Sequence, residues 1–161
     1  MLSEKEAAAN GYKTAITRKK LSTPMNWLYN NHKILSGIIG QGGQSRDYNL
    51  LDYGCGKGSD AEYLSMDRYD PHFFPELVEG KLYDTITCTY VLNVVTEEQQ
   101  YDILNRIKQL LKEDGTAYIT VRRDLKTDKT ITKRGTLQRM VRLDLPVVHE
   151  TQGYCIYEVK K

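Results

Sequence analysis

One stretch of the sequence has residue types and spacing that could do chemistry: Asp52-Tyr53-Gly54-Cys55-Gly56-Lys57-Gly58, an acid followed by three glycines at alternating positions. Glycine adopts backbone angles closed to other residues and leaves space where a Cβ would collide, so this segment is suited to turning tightly against a ligand. A P-loop is excluded, because Lys57 is followed by Gly58 and the position five before Gly56 is Leu51. A nicotinamide fingerprint fits poorly, since its third glycine falls on Ser59. Rossmann-type sites also place a carboxylate at the end of the second strand, roughly 20 residues on, to accept hydrogen bonds from ribose hydroxyls. Asp70 follows Asp52 by 18 residues and, with Pro71, stands where that strand should end; Asp67 is the competing choice. Phe73 and Phe74 offer either an apolar wall for an adenine ring or ordinary core packing.

Strands must carry these residues to one edge. Tyr48 to Tyr53 is a short apolar run ending in glycines, the pattern of a buried parallel strand. A helix over Ser59 to Leu64 follows, then strands over Met66 to Tyr69 and Leu82 to Tyr90. Thr96 with Gln99 three positions on forms a capping box, and Ile103, Leu104, Ile107, Leu110 and Leu111 line the buried face of a helix ending at Asp114-Gly115. Thr116 to Val121 is a further strand. Alternating Val141, Leu143, Leu145 and Val147, then Tyr154 to Val159 after a turn at Gln152-Gly153, predict an antiparallel hairpin closing the sheet edge. Upstream, residues 1–20 read as a mobile arm with a basic segment. A first helix follows, capped by Ser22 or Thr23, with Pro24 in its first turn, Met25, Leu28 and Leu35 on one face, and a stop at Gly37 before a polar loop over Gly40 to Ser45. The expectation is a Rossmann-like three-layer α/β sandwich with a mainly parallel sheet, as a single domain over residues 1–161. Only 13 residues separate Asp70 from Asp84, too few for a helix, strand and helix, so the sheet is expected to be one strand short.

At 161 residues, with 40% hydrophobic and 27% charged, the composition is that of an ordinary globular domain. No apolar run approaches the ~20 residues needed to cross a bilayer. The N-terminus lacks the apolar stretch of a signal peptide, so the expected location is the cytoplasm. Cys55, Cys88 and Cys155 are odd in number and far apart, which fits reduced thiols better than a disulfide framework or a zinc site. Residues 1–33 carry six Lys/Arg and two acids, residues 34–119 seven and fourteen, and residues 120–161 ten and five. Basic ends around an acidic middle suit either a polyanionic partner such as RNA or DNA or plain solvated charge.

The pattern acid-x-Gly-x-Gly-x-Gly resembles motif I of the class I S-adenosylmethionine-dependent methyltransferases. That resemblance implies that Asp52, Tyr53, Gly54, Cys55 and Gly56 hold the methionine part of S-adenosylmethionine, that Asp60 faces its amino group, and that Lys13 or the helix start at Ser59 pairs its carboxylate. Asp70 and Pro71 then take the ribose. The run Tyr83 to Val95 looks like the methyltransferase segment whose residues after the strand border the methyl group. It makes Thr89, Tyr90 and Asn93 the polar candidates there, Thr89 and Tyr90 on the cofactor side and Tyr90 and Asn93 as the catalytic pair. Tyr90 is the best general base or substrate-positioning group among them, although a phenol with an ordinary pKa near 10 is a poor base. The acid that usually meets the adenine amine is expected to be missing with the missing strand. Neither an Asp/Asn/Ser-Pro-Pro-aromatic signature nor a Pro-Cys nucleophile is present, so standard DNA-base methylation is disfavoured.

More closely, the chain resembles methyltransferases associated with DNA phosphorothioation systems. The likeness rests on Lys13-Thr14-Ala15-Ile16, Leu21-Ser22-x-Pro24, Leu51 to Asp60, Tyr69-Asp70-Pro71, Tyr90 to Val94 and Arg134-Gly135-Thr136-x-Gln138. It implies fold and cofactor and leaves the acceptor open, with nucleic acid suggested by the basic flanks. The competing reading is a non-catalytic S-adenosylmethionine-binding regulator or assembly partner. The oligomeric state is not legible.

Overall fold

The computed structural model describes residues 1–35 and 48–161; the expected helix stop at Gly37 and the loop Gly40 to Ser45 lie outside the described residues. The main sheet comprises β1 (Leu50–Tyr53), β2 (Asp67–Tyr69), β3 (Tyr83–Thr89), β4 (Leu111–Arg122), β7 (Val147–Glu150) and β8 (Tyr154–Lys160). Its order is β2-β1-β3-β4-β8-β7. The first four of these strands are mutually parallel; β8 adds antiparallel to β4, and β7 antiparallel to β8. Residues 70–82 contribute only the isolated bridge Asp70↔Phe74, so β2 stands at the sheet edge, in keeping with the expected missing strand.

Successive strand residues face opposite sides of a sheet, and here each side finds its own helices. Leu51, Ile86, Cys88, Ile119 and Val121 pack on one face with Ile107 and Leu110 of α4 (Glu97–Leu110). Leu50, Tyr118 and Ile156 pack on the other with Met25 and Leu28 of α2 (Thr23–Asn30) and Ala61 and Leu64 of α3 (Ser59–Leu64). The result is the expected three-layer sandwich.

Several local expectations are corrected. The N-terminal residues are not a free arm. Ser3 and Glu6 form a capping box at the start of α1 (Glu4–Ala9), Ala7 is wholly buried against Leu137, and Asn10 Nδ2 donates to the Gly135 carbonyl at 3.1 Å. Helix α2 ends at Asn30, short of Leu35, and Ser22 does not cap it because its hydroxyl is committed to Asp60. The Thr96/Gln99 box does start α4, but the chain enters β4 at Leu111, before Asp114-Gly115. A register shift between Tyr83 and Thr85 absorbs the extra residues, with Gly115 lying where a Cβ would stand 2.9 Å from the Tyr83 carbonyl oxygen. Val141, Leu143 and Leu145 are not strand. The Val141 carbonyl and the Leu143 N–H are instead bonded by the side chains of Arg123 and Tyr157. An unexpected hairpin of β5 (Lys129–Ile131) and β6 (Leu137–Arg139) receives α1.

Candidate functional site

The carboxyl ends of β1, β2 and β3 open into one cavity of about 620 Å³. Asp52, Tyr53, Gly54, Cys55, Gly56, Asp60, Asp70, Pro71, Thr89 and Tyr90 all line it. The loop after β1 is drawn onto the end of β2: the Tyr69 carbonyl accepts from the N–H groups of Gly54 at 2.7 Å and Cys55 at 2.9 Å. Gly54 has φ +81°, and a Cβ there would sit 2.3 Å from Val91 Cγ2, so only glycine fits. Gly56, at φ +56°, turns its bare Cα toward Ala15, whose Cβ would be 3.1 Å from a Cβ built on Gly56.

Asp70 ties loop and strand together. Its Oδ2 accepts from Gly56 N–H at 2.9 Å, and its Oδ1 accepts from His72 and Phe73 N–H at 2.9 and 3.1 Å. A carboxylate offers about four acceptor positions, which leaves one for a ligand. Asp67 is committed elsewhere, to the Tyr83 hydroxyl at 2.6 Å and Lys81 at 2.8 Å, and does not line the cavity. Phe73 and Phe74 do not wall it either. They border a separate shallow groove, where the Arg68 guanidinium lies 4.3 Å from the centre of the Phe74 ring.

Asp52 is buried, and its Oδ1 accepts from Thr87 Oγ1 at 2.9 Å. Burial, helped by the negative charges of Asp60 and Asp70, pushes its pKa up to about 7 against the pull of the Thr87 bond. Burial first, then Asp52 and Asp70, pushes the Cys55 thiol up to about 12, so it stays protonated and unreactive. Asp60 accepts from Ser22 N–H at 2.8 Å and Ser22 Oγ at 2.7 Å, which joins α3 to the start of α2. Thr89 Oγ1 is buried with no hydrogen-bond partner among the described residues. Tyr90 has a left-handed φ of 61°, unusual for a bulky residue and a form of strain concentrated at ligand sites. Burial, and then Asp124, raises its phenol pKa, so at neutral pH the hydroxyl is a hydrogen-bond donor and not a base.

Lys13 and Asn93 are not brought to the cavity. Asn93 is wholly buried, its Oδ1 accepting from Arg122 N–H and its Nδ2 donating to the Arg139 carbonyl, both at 2.8 Å. Lys13 sits in a 3-10 turn, where its carbonyl accepts from Arg134 at 2.9 Å. The sequence reading missed Tyr12, Arg18, His72, Gln99 and Asp102, all of which line the cavity. Tyr12 stacks on His72 with ring centres 4.1 Å apart, and Arg18 N–H bonds Ser59 Oγ at 3.0 Å, so residues 11–18 strap over the glycine loop. Arg122 and Arg123, which belong to the basic C-terminal flank, are occupied within the fold. Arg122 pairs with Asp124, while Arg123 is buried against Glu150, the Tyr157 hydroxyl and the Val141 carbonyl.

A bare-backbone cradle, a carboxylate at each of two strand ends and an unpartnered threonine hydroxyl suit a ligand with cationic, hydroxyl and planar parts, and S-adenosylmethionine is such a molecule. Fold and site are those of a class I methyltransferase. The family described as "Methyltransferase domain" matches residues 20–146, and the chain belongs to it. Among solved structures it is similar to the Burkholderia thailandensis 1,6-didemethyltoxoflavin-N1-methyltransferase with bound 1,6-didemethyltoxoflavin and S-adenosylhomocysteine. The TM-score is 0.58 at 16% identity, over 84% of this chain and 76% of that one. It is also similar to the DhpI-SAH complex, with a TM-score of 0.55 at 10% identity, over 96% of this chain and 95% of that one. At these identities the likeness is one of fold. No curated protein matches the sequence significantly.

Proposed function

We propose that the chain binds S-adenosylmethionine along the ends of β1 to β3 and methylates a small acceptor by in-line displacement, acting as one domain in which the N-terminal strap roofs the site. The observation that carries this reading is the convergence of Asp52, the Gly54–Gly56 backbone, Asp70 and Thr89 on one cavity. When bound, the cofactor supplies an electrophilic methyl group on a sulfonium. Asp52 and Asp60 hold its cationic end, Arg18 is the cavity's guanidinium for its carboxylate, and the open acceptor position of Asp70 takes a ribose hydroxyl. Tyr90 donates to and orients the acceptor. The strap excludes water, and alignment with desolvation is the protein's main contribution to such a displacement.

The basic flanks would put the acceptor on nucleic acid, but the internal pairing of Arg122, Arg123 and Lys129 speaks for a small molecule. The Burkholderia relative, an N1-methyltransferase with its small acceptor bound, supports the same choice. No helix among the described residues is long and apolar enough to cross a membrane. Calorimetry should show S-adenosylhomocysteine binding and no heat with NAD, and the reverse would refute the reading. With methyl-labelled S-adenosylmethionine and fractionated extract, label should enter the small-molecule fraction rather than nucleic acid or protein.

A further inference from the structure

The cavity does not stop at the glycine loop. Asp52 and Asp60 belong to the sheet face that carries α2 and α3, and Asp70 stands at the end of β2. The space then continues to the opposite face, where Tyr53, Tyr69, Val95 and Ile103 form an apolar wall beneath α4. The rings of Tyr53 and Tyr69 pack together with centres 4.6 Å apart and planes tilted by 42°, an aromatic wall against which the edge or face of a heterocycle can rest. Two polar residues rim this end, Gln99 and Asp102. They are three apart on α4, so they share one helix face about 5–6 Å apart at Cβ. Gln99 Oε1 accepts from Thr96 N–H at 2.9 Å in the capping box, which fixes the amide and leaves its NH₂ as the available group. Among the described residues the Asp102 carboxylate has no hydrogen bond or ion pair. The rim therefore presents an acceptor beside a donor over an apolar floor.

Resting on the cofactor reading above, we propose that Asp102 and Gln99 read the adenine edge of the bound nucleoside: Asp102 accepts from the exocyclic amine and the Gln99 amide donates to ring nitrogen N1. A hypoxanthine ring reverses both groups, offering a carbonyl oxygen to the carboxylate and an N–H to the amide. Polar groups built to match one pattern discriminate strongly against its inverse.

The test compares S-adenosylhomocysteine with S-inosylhomocysteine by calorimetry. Wild type should bind the adenine form at least about tenfold more tightly. Asp102→Asn, at an exposed helical position, should bring the ratio toward one. Gln99→Glu, which keeps a capping box, should lower it too, because a carboxylate accepts from the hypoxanthine N–H. If wild type binds S-adenosylhomocysteine and the ratio is the same in both variants, the adenine assignment is overturned and the cofactor reading stands. If wild type binds neither compound, both fall.

Discussion

A carboxylate as buried as that of Asp52 ionises only when something replaces its lost hydration, and Thr87 supplies one hydrogen bond while Asp60 and Asp70 oppose it. Its folded pKa of about 7 lies above the ordinary 3.8, so between these values the native state holds a proton that the unfolded chain has released. Stability of the unliganded protein should therefore fall as pH rises through that window, by an upper bound of roughly 4 kcal/mol. Denaturant melts at about pH 5 and about pH 8 should show the fall in wild type and its loss in Asp52→Asn. A cationic ligand reverses the preference, so binding of S-adenosylhomocysteine, through its amino group, should release a proton and tighten as pH rises toward 8. Calorimetry in two buffers of different ionisation heat measures that proton. Asn93 makes the opposite case, a residue whose role lies in the scaffold. Asn93→Ala strands a partly buried N–H of Arg122 and a buried carbonyl of Arg139, and should cost roughly 2–4 kcal/mol of stability while leaving cofactor affinity unchanged. Sequence shows an amide after the third strand, but its partner Arg139 is 46 positions away, and no local pattern reports that distance.

Elements with strong local rules were legible, and those made by distant contacts were not. Helix α3 runs over Ser59–Leu64 as the residues predict, and the Thr96/Gln99 box starts α4, because turn and cap chemistry are decided within a few residues. The glycine loop was legible for the same reason. The hairpin of β5 and β6 has three-residue strands, below the length at which alternation can be counted, and α1 has a single buried pair, Ala7 and Ala8. These two elements stabilise each other: Ala7 packs on Leu137, Glu4 pairs with Lys129, and Arg134 bonds the Lys13 carbonyl. Together they hold the strap over the cavity. The Tyr12–His72 stack is the strap's contact with the residues after β2, and both rings line the cavity. Tyr12→Ala should therefore speed release of S-adenosylhomocysteine several-fold in stopped-flow displacement while the melting temperature barely moves, since Tyr12 is an exposed side chain. Equal release rates would mean the strap does not gate the site.

At the scale of the whole molecule, the charge pattern that suggested a nucleic-acid partner is reinterpreted by where the charges go. The net charge is +2, and basic residues of the C-terminal third are paired within the fold: Arg122 with Asp124, Arg123 with Glu150 and Tyr157, Lys129 with Glu4, and Arg139 with the carbonyls of Leu92 and Val95. The cavity itself is lined by Asp52, Asp60, Asp70 and Asp102 against the single guanidinium of Arg18. A polyanion approaching that mouth meets like charge. The exposed cations at the strap are Arg18, Lys19 and Lys20, with Lys57 in the glycine loop and Arg134 on the Lys13 carbonyl, so neutralisation of about five phosphates is the most this edge offers, and the logarithm of affinity would fall with the logarithm of salt at a slope of at most about 5. Fluorescence anisotropy with labelled single-stranded RNA and double-stranded DNA should therefore find weak, shallowly salt-dependent binding at low ionic strength and none at physiological salt. Tight binding with a steeper slope, abolished by replacing Lys19 and Lys20 with Ala, would return nucleic acid to the position of acceptor.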